Sequence, residues 1–424
     1  MLHGVRLRNF KSIEDIRLRL PQFTILVGPN DSGKSSILQA LVLLKQSIAA
    51  GNLSLGGALF DFGSYSDIVT FHDSDREVTI GVAGSCTLPD RVTGTLGLSN
   101  DRINYSYEMT FKNQVVTSNN CWIQTGPWQL AAGIKDGKKT AEPKSMAFGG
   151  ANFQIDYSTI RQPIYVTGAR HPEDVADRIQ SLLPAVNYLT QAPVQDLGTI
   201  FFVPANRSLD RPALELIDKE LDDLAFAGSA SKQASAVASM LAYRRELEGK
   251  VSGWLKRITG ASVSARARPL KQVAVEAETD HVRTNIVHEG FGSNQLVFLL
   301  LQAALSHEGS VLLIEEPELN LHPKAQSELA QVLVEIATAE NKQIILTTHS
   351  EHILFRILNN VAEGKLNKEG LALHYFQTKG RIASSQELLI DNRGMVKGGL
   401  PGFFEADVAE LQNFLKSVGA NDAA

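Results

Sequence analysis

Apolar and polar positions change their rhythm several times along the chain, and each change predicts a different element. Residues 2–8 and 15–20 alternate apolar with polar or basic side chains, which predicts a half-exposed hairpin. Residues 23–27 (FTILV) form a short unbroken apolar run, as in a buried central strand. The turn GPNDSGKSS follows, and ILQALVLLKQSIAA then shows helical spacing. Between 76 and 170 the segments VTIGVAG, RVTGTLGLS, RINYSYEMTFK and FQIDYSTIRQPIYVTG predict strands separated by turn residues. The stretch 130–150, rich in Gly, Lys and Ala, predicts an exposed loop.

Residues 198–203 (GTIFFV) return to a buried-strand pattern, 209–258 predict helix, and 272–287 predict strands. The final part alternates cleanly. VLLIEE (311–316) predicts a buried strand, and 323–340 an amphipathic helix opened by proline. KQIILTTHS (342–350) predicts a second buried strand, and 352–364 a helix closed by glycine. LALHYFQ and RIASSQELLI predict a hairpin. Buried strands alternating with helices imply an α/β core with a largely parallel sheet.

With 424 residues the chain is long enough for one large domain or two ordinary ones. Its 43% hydrophobic and 21% charged residues are ordinary for a folded protein. A net charge of −5 means that any nucleic-acid contact needs a local basic patch. Cys86 and Cys121, the two cysteines, predict reduced, partly buried thiols, and no histidines stand at a spacing that would complete a zinc site with them. The N-terminus lacks the apolar core of a signal peptide, and runs such as 296–305 are too short to span a bilayer. The expectation is a cytoplasmic protein with no membrane contact.

Gly28-Pro-Asn-Asp-Ser-Gly33-Lys34-Ser35 fits the pattern G-x-x-x-x-G-K-[ST]. The glycines let the backbone curl so that its N–H groups point at phosphate oxygens, and the following helix presents its N-terminus to the same anion. Lys34 would reach the β and γ phosphates, and Ser35 would offer its hydroxyl to Mg²⁺. Asn30, Asp31, Ser32, Gly33, Lys34, Ser35 and Ser36 are therefore candidate ATP-binding residues. The apolar strand that starts at Val311 ends in the carboxylates Glu315 and Glu316, followed by Pro317 and Glu318. Carboxylates at a strand end face the ligand crevice of an open α/β sheet. Glu315 is a candidate Mg²⁺ ligand, directly or through water, and Glu316 a candidate base for the attacking water. His349, at the end of the next strand, is a candidate for contact with the γ-phosphate.

These three motifs, in this order, resemble the ABC ATPase superfamily. RNFKSI (8–13), GPNDSGKSS (28–36), FGSYSDIVTFHD (62–73), FFVPANR (201–207), EGFGSNQ (289–295), LLIEEPELNLHP (312–323), TTHS (347–350) and GGLPGFFEADVAEL (398–411) narrow the resemblance to the branch with SMC, RecF and OLD-type proteins and the related ATPases of bacterial anti-phage loci. The resemblance implies an α/β ABC ATPase head with a mixed central sheet, an antiparallel β subdomain and a helical insert. It divides the chain into an N-terminal lobe (1–75), a strand-rich insert (76–200), a helical insert with connecting strands (201–288) and a C-terminal lobe (289–424). It also implies a homodimer or higher homo-oligomer, in which Gly290, Gly292 and Ser293 donate hydrogen bonds to the γ-phosphate held by the partner subunit. Ser293 or Asn294 would serve equally as a helix N-cap. Lys11 is similar to the basic residue these proteins place near the nucleotide, or is a solvated lysine. Arg207 either senses nucleotide or pairs with a carboxylate. Gln191 is the candidate for the glutamine that such proteins carry near the metal.

The span from Lys34 to Glu315 is too short and irregular for a long coiled-coil arm and lacks a Cys-x-x-Cys hook, and the residues after His349 hold no acidic nuclease cluster. HDSD (72–75) reads most simply as a solvated turn. The resemblance thus implies an ATPase that leaves any nucleic-acid cleavage to a separate effector. One function is the sensor or regulatory subunit of a prokaryotic anti-phage system; the alternative is a DNA-binding repair ATPase. The second draws on eight Lys or Arg between Arg244 and Lys271, against Glu246 and Glu248. That patch either meets phosphate backbones or is a solvated helix face. An import or export subunit fits poorly with a long strand-rich insert.

Overall fold

The computed structural model describes residues 1–57, 59–126, 128–135, 138–139, 146–148, 151–158, 165–170, 176–217 and 230–399. The chain opens with strands β1 (Leu2–Phe10), β2 (Ile13–Arg19) and β3 (Phe23–Val27), then helix α1 (Lys34–Ala50) and the short α2 (Tyr65–Ile68). Next come β4 (Val78–Thr87), α3 (Asp90–Leu96), β5 (Arg102–Lys112), β6 (Val115–Thr125), β7 (Trp128–Lys135), β8 (Lys138–Lys139), β9 (Met146–Phe148), β10 (Ala151–Ser158) and β11 (Tyr165–Arg170). The middle holds α4 (Ala176–Gly198), β12 (Ile200–Val203), β13 (Leu214–Glu215), α5 (Ala230–Tyr243), α6 (Arg245–Thr259), β14 (Ser262–Arg268), β15 (Gln272–Thr279) and β16 (Val282–Asn285). Last are α7 (Phe291–Leu305), β17 (Val311–Glu315), α8 (Pro323–Ala339), β18 (Gln343–Thr347), α9 (Glu351–Ala362), β19 (Leu371–Lys379) and β20 (Ile382–Leu388).

The expected mixed sheet is present. Six strands run in the order β12-β17-β18-β3-β19-β20, parallel except for β20. β3, β17 and β18 are buried at every position, because each is flanked by strands and covered on both faces. The side-chain period of two splits each strand between two cores. On β17, Val311 and Leu313 face the core under α1, whereas Leu312 and Ile314 face the core beneath α7, α8 and α9. Fully burying each such side chain contributes roughly 1.5–3 kcal/mol.

A second, antiparallel sheet runs β2-β1-β4-β5-β6-β7-β8. The N-terminal hairpin therefore shares one sheet with strands of the insert, and its apolar positions Val5, Leu7, Ile16 and Leu18 are buried against the first core. Gln343 ties the two sheets together. Its amide accepts from the Leu2 N–H and donates to the carbonyls of Leu2, Leu20 and Pro21. A third sheet of β13, β15, β14 and β16 packs on α5 and α6.

Some expectations are corrected. Residues 90–96 are helical, where the segment 91–99 predicted a strand. Pro89 precedes the helix, Asp90 sits in its first turn, and left-handed Gly97 closes it, so local signals override the β-branched residues. Residues 130–135 belong to a strand, not to a loop, because they pair with β6. Lys138–Lys139 and Met146–Phe148 are strands too, and the rest of that loop expectation, residues 136–137, 140–145 and 149–150, lies outside the described residues. Leu214–Glu215 is a strand within the stretch read as helix. Helix α4 was not predicted; Pro184 and Pro193 inside it obscure its spacing. Among the described residues no helix is long and apolar enough to cross a membrane. Both cysteines are free, and burial pushes each thiol up to about 12.

Candidate functional site

Strand register decides what converges. Glu315 lies opposite Thr347, and Thr347 opposite Leu26, so β17, β18 and β3 all end at one edge of the central sheet. The residues just past these ends, Glu316, His349 and the loop 28–36, therefore emerge side by side. Glu316, His349 and residues 30–36 of that loop line a single cavity of about 580 Å³. Lys11 and Ser12, from the β1–β2 turn, and Gln39, from α1, complete its wall.

The loop geometry follows from its glycines. Gly28 has φ 141°, and a Cβ there would sit 2.2 Å from the Phe376 carbonyl oxygen. Gly33 has φ 95° and caps α1 with no side chain contributing a hydrogen bond. The first N–H groups of α1 are thus left to face the cavity. The Lys34 ammonium donates to the carbonyls of Gly28 at 3.0 Å and Pro29 at 2.6 Å, and burial lowers its pKa against the opposing pull of Glu316, Asp31 and Glu318. The Ser32 hydroxyl is buried, and among the described residues it has no hydrogen-bond partner.

The acidic end is equally constrained. The Glu316 N–H donates to the carbonyl and hydroxyl oxygens of Thr347 at 3.1 and 3.2 Å, and its φ is 42°. His349 Nε2 stands 3.9 Å from Glu316 Oε1; burial, then the charge of Lys34, lowers the histidine pKa, which keeps the ring neutral near pH 7. Glu315 does not line the cavity. It is buried behind Gln39, accepting from Gln39 Nε2 at 3.2 Å and the Ala205 N–H at 3.3 Å, and burial raises its pKa. Glu318 accepts from the His349 N–H at 2.6 Å and is likewise raised by burial.

Lys11 resolves as an inward-facing group. Its ammonium donates to Gln39 Oε1 at 2.5 Å and lies within 6 Å of the ring centroids of Phe10, Phe60 and Phe62. Arg207 is buried and bonds to backbone carbonyls, so it neither lines the cavity nor pairs with a carboxylate side chain among the described residues. Gln191 lies on α4, away from the cavity wall, whereas Gln39 occupies it. Ser293 is apart from the other candidates. With Gly290 and Gly292 it lines a different cavity of about 560 Å³, together with Lys256, His322 and Lys324. Neither Ser293 nor Asn294 caps α7; Gly290 holds the N-cap position. Of the eight cations between Arg244 and Lys271, Arg245, Lys250, Arg257, Arg266 and Arg268 already meet carboxylates of this chain.

The arrangement suits a polyphosphate. The N–H groups that open α1, the Ser32 hydroxyl, which has no partner among the described residues, and the Lys34 ammonium, held beside them by the loop carbonyls, are donors on the wall of one cavity. Ser35 and the carboxylate behind it are hard oxygen donors, which suit Mg²⁺.

Sequence comparison agrees with the geometry. The family described as AAA ATPase domain matches residues 1–88 and 205–354, more than half of the chain. The chain belongs to the AAA ATPase domain family. Within it the chain is an ABC-type ATPase of the SMC/OLD-like branch. It is 22% identical to the OLD nuclease of Thermus scotoductus over 359 residues, which covers 82% of this chain and 59% of that protein. It is 34% identical to the chromosome partition protein Smc of Methanocaldococcus jannaschii over 76 residues, 18% of this chain and 6% of Smc. The chain thus spans less than two thirds of either relative. Among solved structures, an Smc head domain with an extended coiled coil, bound to the C-terminal domain of ScpA from Pyrococcus furiosus, aligns over 91% of this chain and 96% of its own at 12% identity, with a TM-score of 0.49.

Residues 1–88 of this AAA ATPase domain hold the phosphate loop, and 205–354 hold both glutamates and the histidine. The two matched segments meet at the cavity. Ser12 and Gln39 escaped the sequence reading, which named Glu318 among the strand-end carboxylates but gave it no role. Gln39 stands four residues after Ser35, on the same helix face, and that spacing was a usable signal.

Proposed function

We propose that this chain binds ATP and hydrolyses it at the cavity shared by residues 30–36, Glu316 and His349. The observation that carries this is the convergence of those segments on one space of about 580 Å³. Lys34, Ser32 and the N–H groups opening α1 hold the phosphates and stabilise charge developing on them. Asn30, Asp31 and Ser36 shape the same wall. The Glu316 carboxylate accepts a proton from the attacking water, and neutral His349 donates a hydrogen bond toward the γ-phosphate. Ser35 would hold Mg²⁺, with Glu315, behind Gln39, holding it through water, and the ion when bound would supply positive charge that stabilises the phosphates. Gln39 and the Ala205 N–H orient the Glu315 carboxylate for that task.

Ser293, Gly290 and Gly292 act on the nucleotide of a second copy. Two features support this. They line a separate cavity that also carries Lys256, His322 and Lys324, and the neighbouring Phe291 is 72% exposed. An apolar ring beside cations suits an interface with a nucleotide-loaded partner. The finer reading follows the same branch: a homo-oligomeric sensor or regulatory subunit of a prokaryotic anti-phage system, controlling a separate effector protein. The alternative of direct DNA binding loses support because most of the 244–271 cations are neutralised by their own chain.

The decisive experiment compares the unsubstituted protein with Glu316→Gln and Lys34→Ala. Glu316→Gln is expected to lower turnover by about 100-fold or more while retaining ATP and stabilising the oligomer. Lys34→Ala is expected to weaken ATP binding. Normal turnover in the Glu316→Gln protein removes Glu316 from the proton-accepting role, and no ATP uptake in calorimetry removes the function altogether. For the cellular role, failure to assemble with a neighbouring gene product and to alter phage infection would reject the sensor reading.

A further inference from the structure

Between β12 and the α7 N-terminus runs a strap whose contacts are more specific than a connecting loop needs. Arg207 is 3% exposed. One terminal nitrogen of its guanidinium donates to the carbonyls of Pro204 at 2.8 Å and Glu315 at 2.9 Å, and the other to the Glu316 carbonyl at 3.4 Å. The Glu316 peptide is therefore held on both sides, by Thr347 at its N–H and by Arg207 at its carbonyl. At the other end of the strap, the Leu209 N–H donates to Asn294 Oδ1 at 2.7 Å, and Asn294 Nδ2 donates back to the Leu209 carbonyl at 2.9 Å. Asn294 is buried in the first turn of α7, next to Ser293.

We infer that Arg207 is a positioning residue for Glu316, and that the Asn294–Leu209 pair ties that position to the N-terminus of α7. The inference rests on the proposed hydrolysis. A buried guanidinium is a costly way to close a loop, and burial pulls this one down to about 10. What the cost secures is the placement of a left-handed glutamate, because a rigid planar fork fixes two successive carbonyls at once. The bidentate amide pair then makes the strap a strut. A shift of the α7 N-terminus, where Gly290, Gly292 and Ser293 line the second cavity, moves Leu209 and with it Arg207. Occupation of one face is thereby read at the carboxylate of the other, within one subunit.

The test is steady-state ATPase kinetics on the full chain, with sites counted by titration with a fluorescent non-hydrolysable ATP analogue. Arg207→Gln should lower kcat per site by about 100-fold, as a roughly 1 Å misplacement does, with analogue affinity and KM little changed. Arg207→Lys, which keeps a donor and the charge, should recover part of that loss. Asn294→Ala should lower kcat in the same manner. Adding Arg207→Gln to Glu316→Gln should produce no further loss, whereas a merely structural residue would add its effect. Unchanged kcat in Arg207→Gln, or additive losses in the double variant, overturns this inference alone. Absence of hydrolysis in the unsubstituted protein overturns the functional reading and this inference with it. If Arg207→Gln does not fold, Arg207→Lys and Asn294→Ala decide, and normal kcat in both overturns the inference.

Discussion

Glu316 adopts φ 42°, a conformation that costs a non-glycine residue roughly 1–2 kcal/mol. Such strain persists only where neighbours over-determine it, and here Thr347 and Arg207 do so. Burial of nearby carboxylates is a second cost. Glu318 has its pKa raised by burial, so folding carries a penalty for its charged form. The resulting penalty is present at neutral pH, eases as pH falls through the raised folded value, and vanishes below the ordinary carboxylate range near 4.5. Glu318→Gln should therefore raise the melting temperature by about 2 °C at pH 8 and leave it nearly unchanged at pH 4. An equal gain at both pH values, measured by thermal denaturation, would sink the electrostatic account. At this scale the sequence disclosed Lys34, Ser35, Glu316 and His349, because the phosphate loop, the strand-end carboxylates and the strand-end histidine each have a linear signature. It showed Glu318 only as one more strand-end carboxylate, without its bond to the His349 N–H, and it concealed Ser12, whose relevance comes from a turn folding over the loop. Arg207 was visible as a residue, but its partners are backbone carbonyls, which no pattern of side chains reveals.

Among elements, the β3–α1 connection is the most tightly specified. A side chain at Gly28 would meet both a left-handed backbone and the Phe376 carbonyl of β19. Gly28→Ala should destabilise the protein by more than about 2 kcal/mol, or displace the loop and abolish ATP binding. Denaturant unfolding and nucleotide titration of the same variant separate the two outcomes, and wild-type behaviour in both would show that the loop tolerates a Cβ. The unbroken apolar runs of β3, β17 and β18 made the central strands legible. The 90–96 helix was misread because β-branched residues suggested a strand while Pro89 and Gly97 set helix boundaries. Residues 130–135 were misread because their partner strand, not their composition, makes them a strand. The two prolines of α4 broke the spacing on which helix prediction relies.

For the whole molecule, the phosphate loop and Ser293 line different cavities, so a single copy does not bring them together. If two copies complete each other's sites, Ser293→Arg should abolish ATP-dependent dimerisation in light scattering while leaving ATP affinity of the monomer within about threefold. Dimerisation unaffected by that substitution would exclude the α7 N-terminus from the interface. The fold class was legible from alternating buried strands and helices, but the sharing of one antiparallel sheet between the N-terminal hairpin and the insert was not, since pairing between distant segments leaves no local trace. The position of β3 has its own consequence. Its neighbours are residues 343–347 and 371–379, so the strand that carries the phosphate loop waits, during synthesis, for roughly 300 further residues before either edge is covered. Until then a largely apolar strand stands with both edges open, and the nascent chain is at its most vulnerable to aggregation in the interval before its nucleotide site can exist.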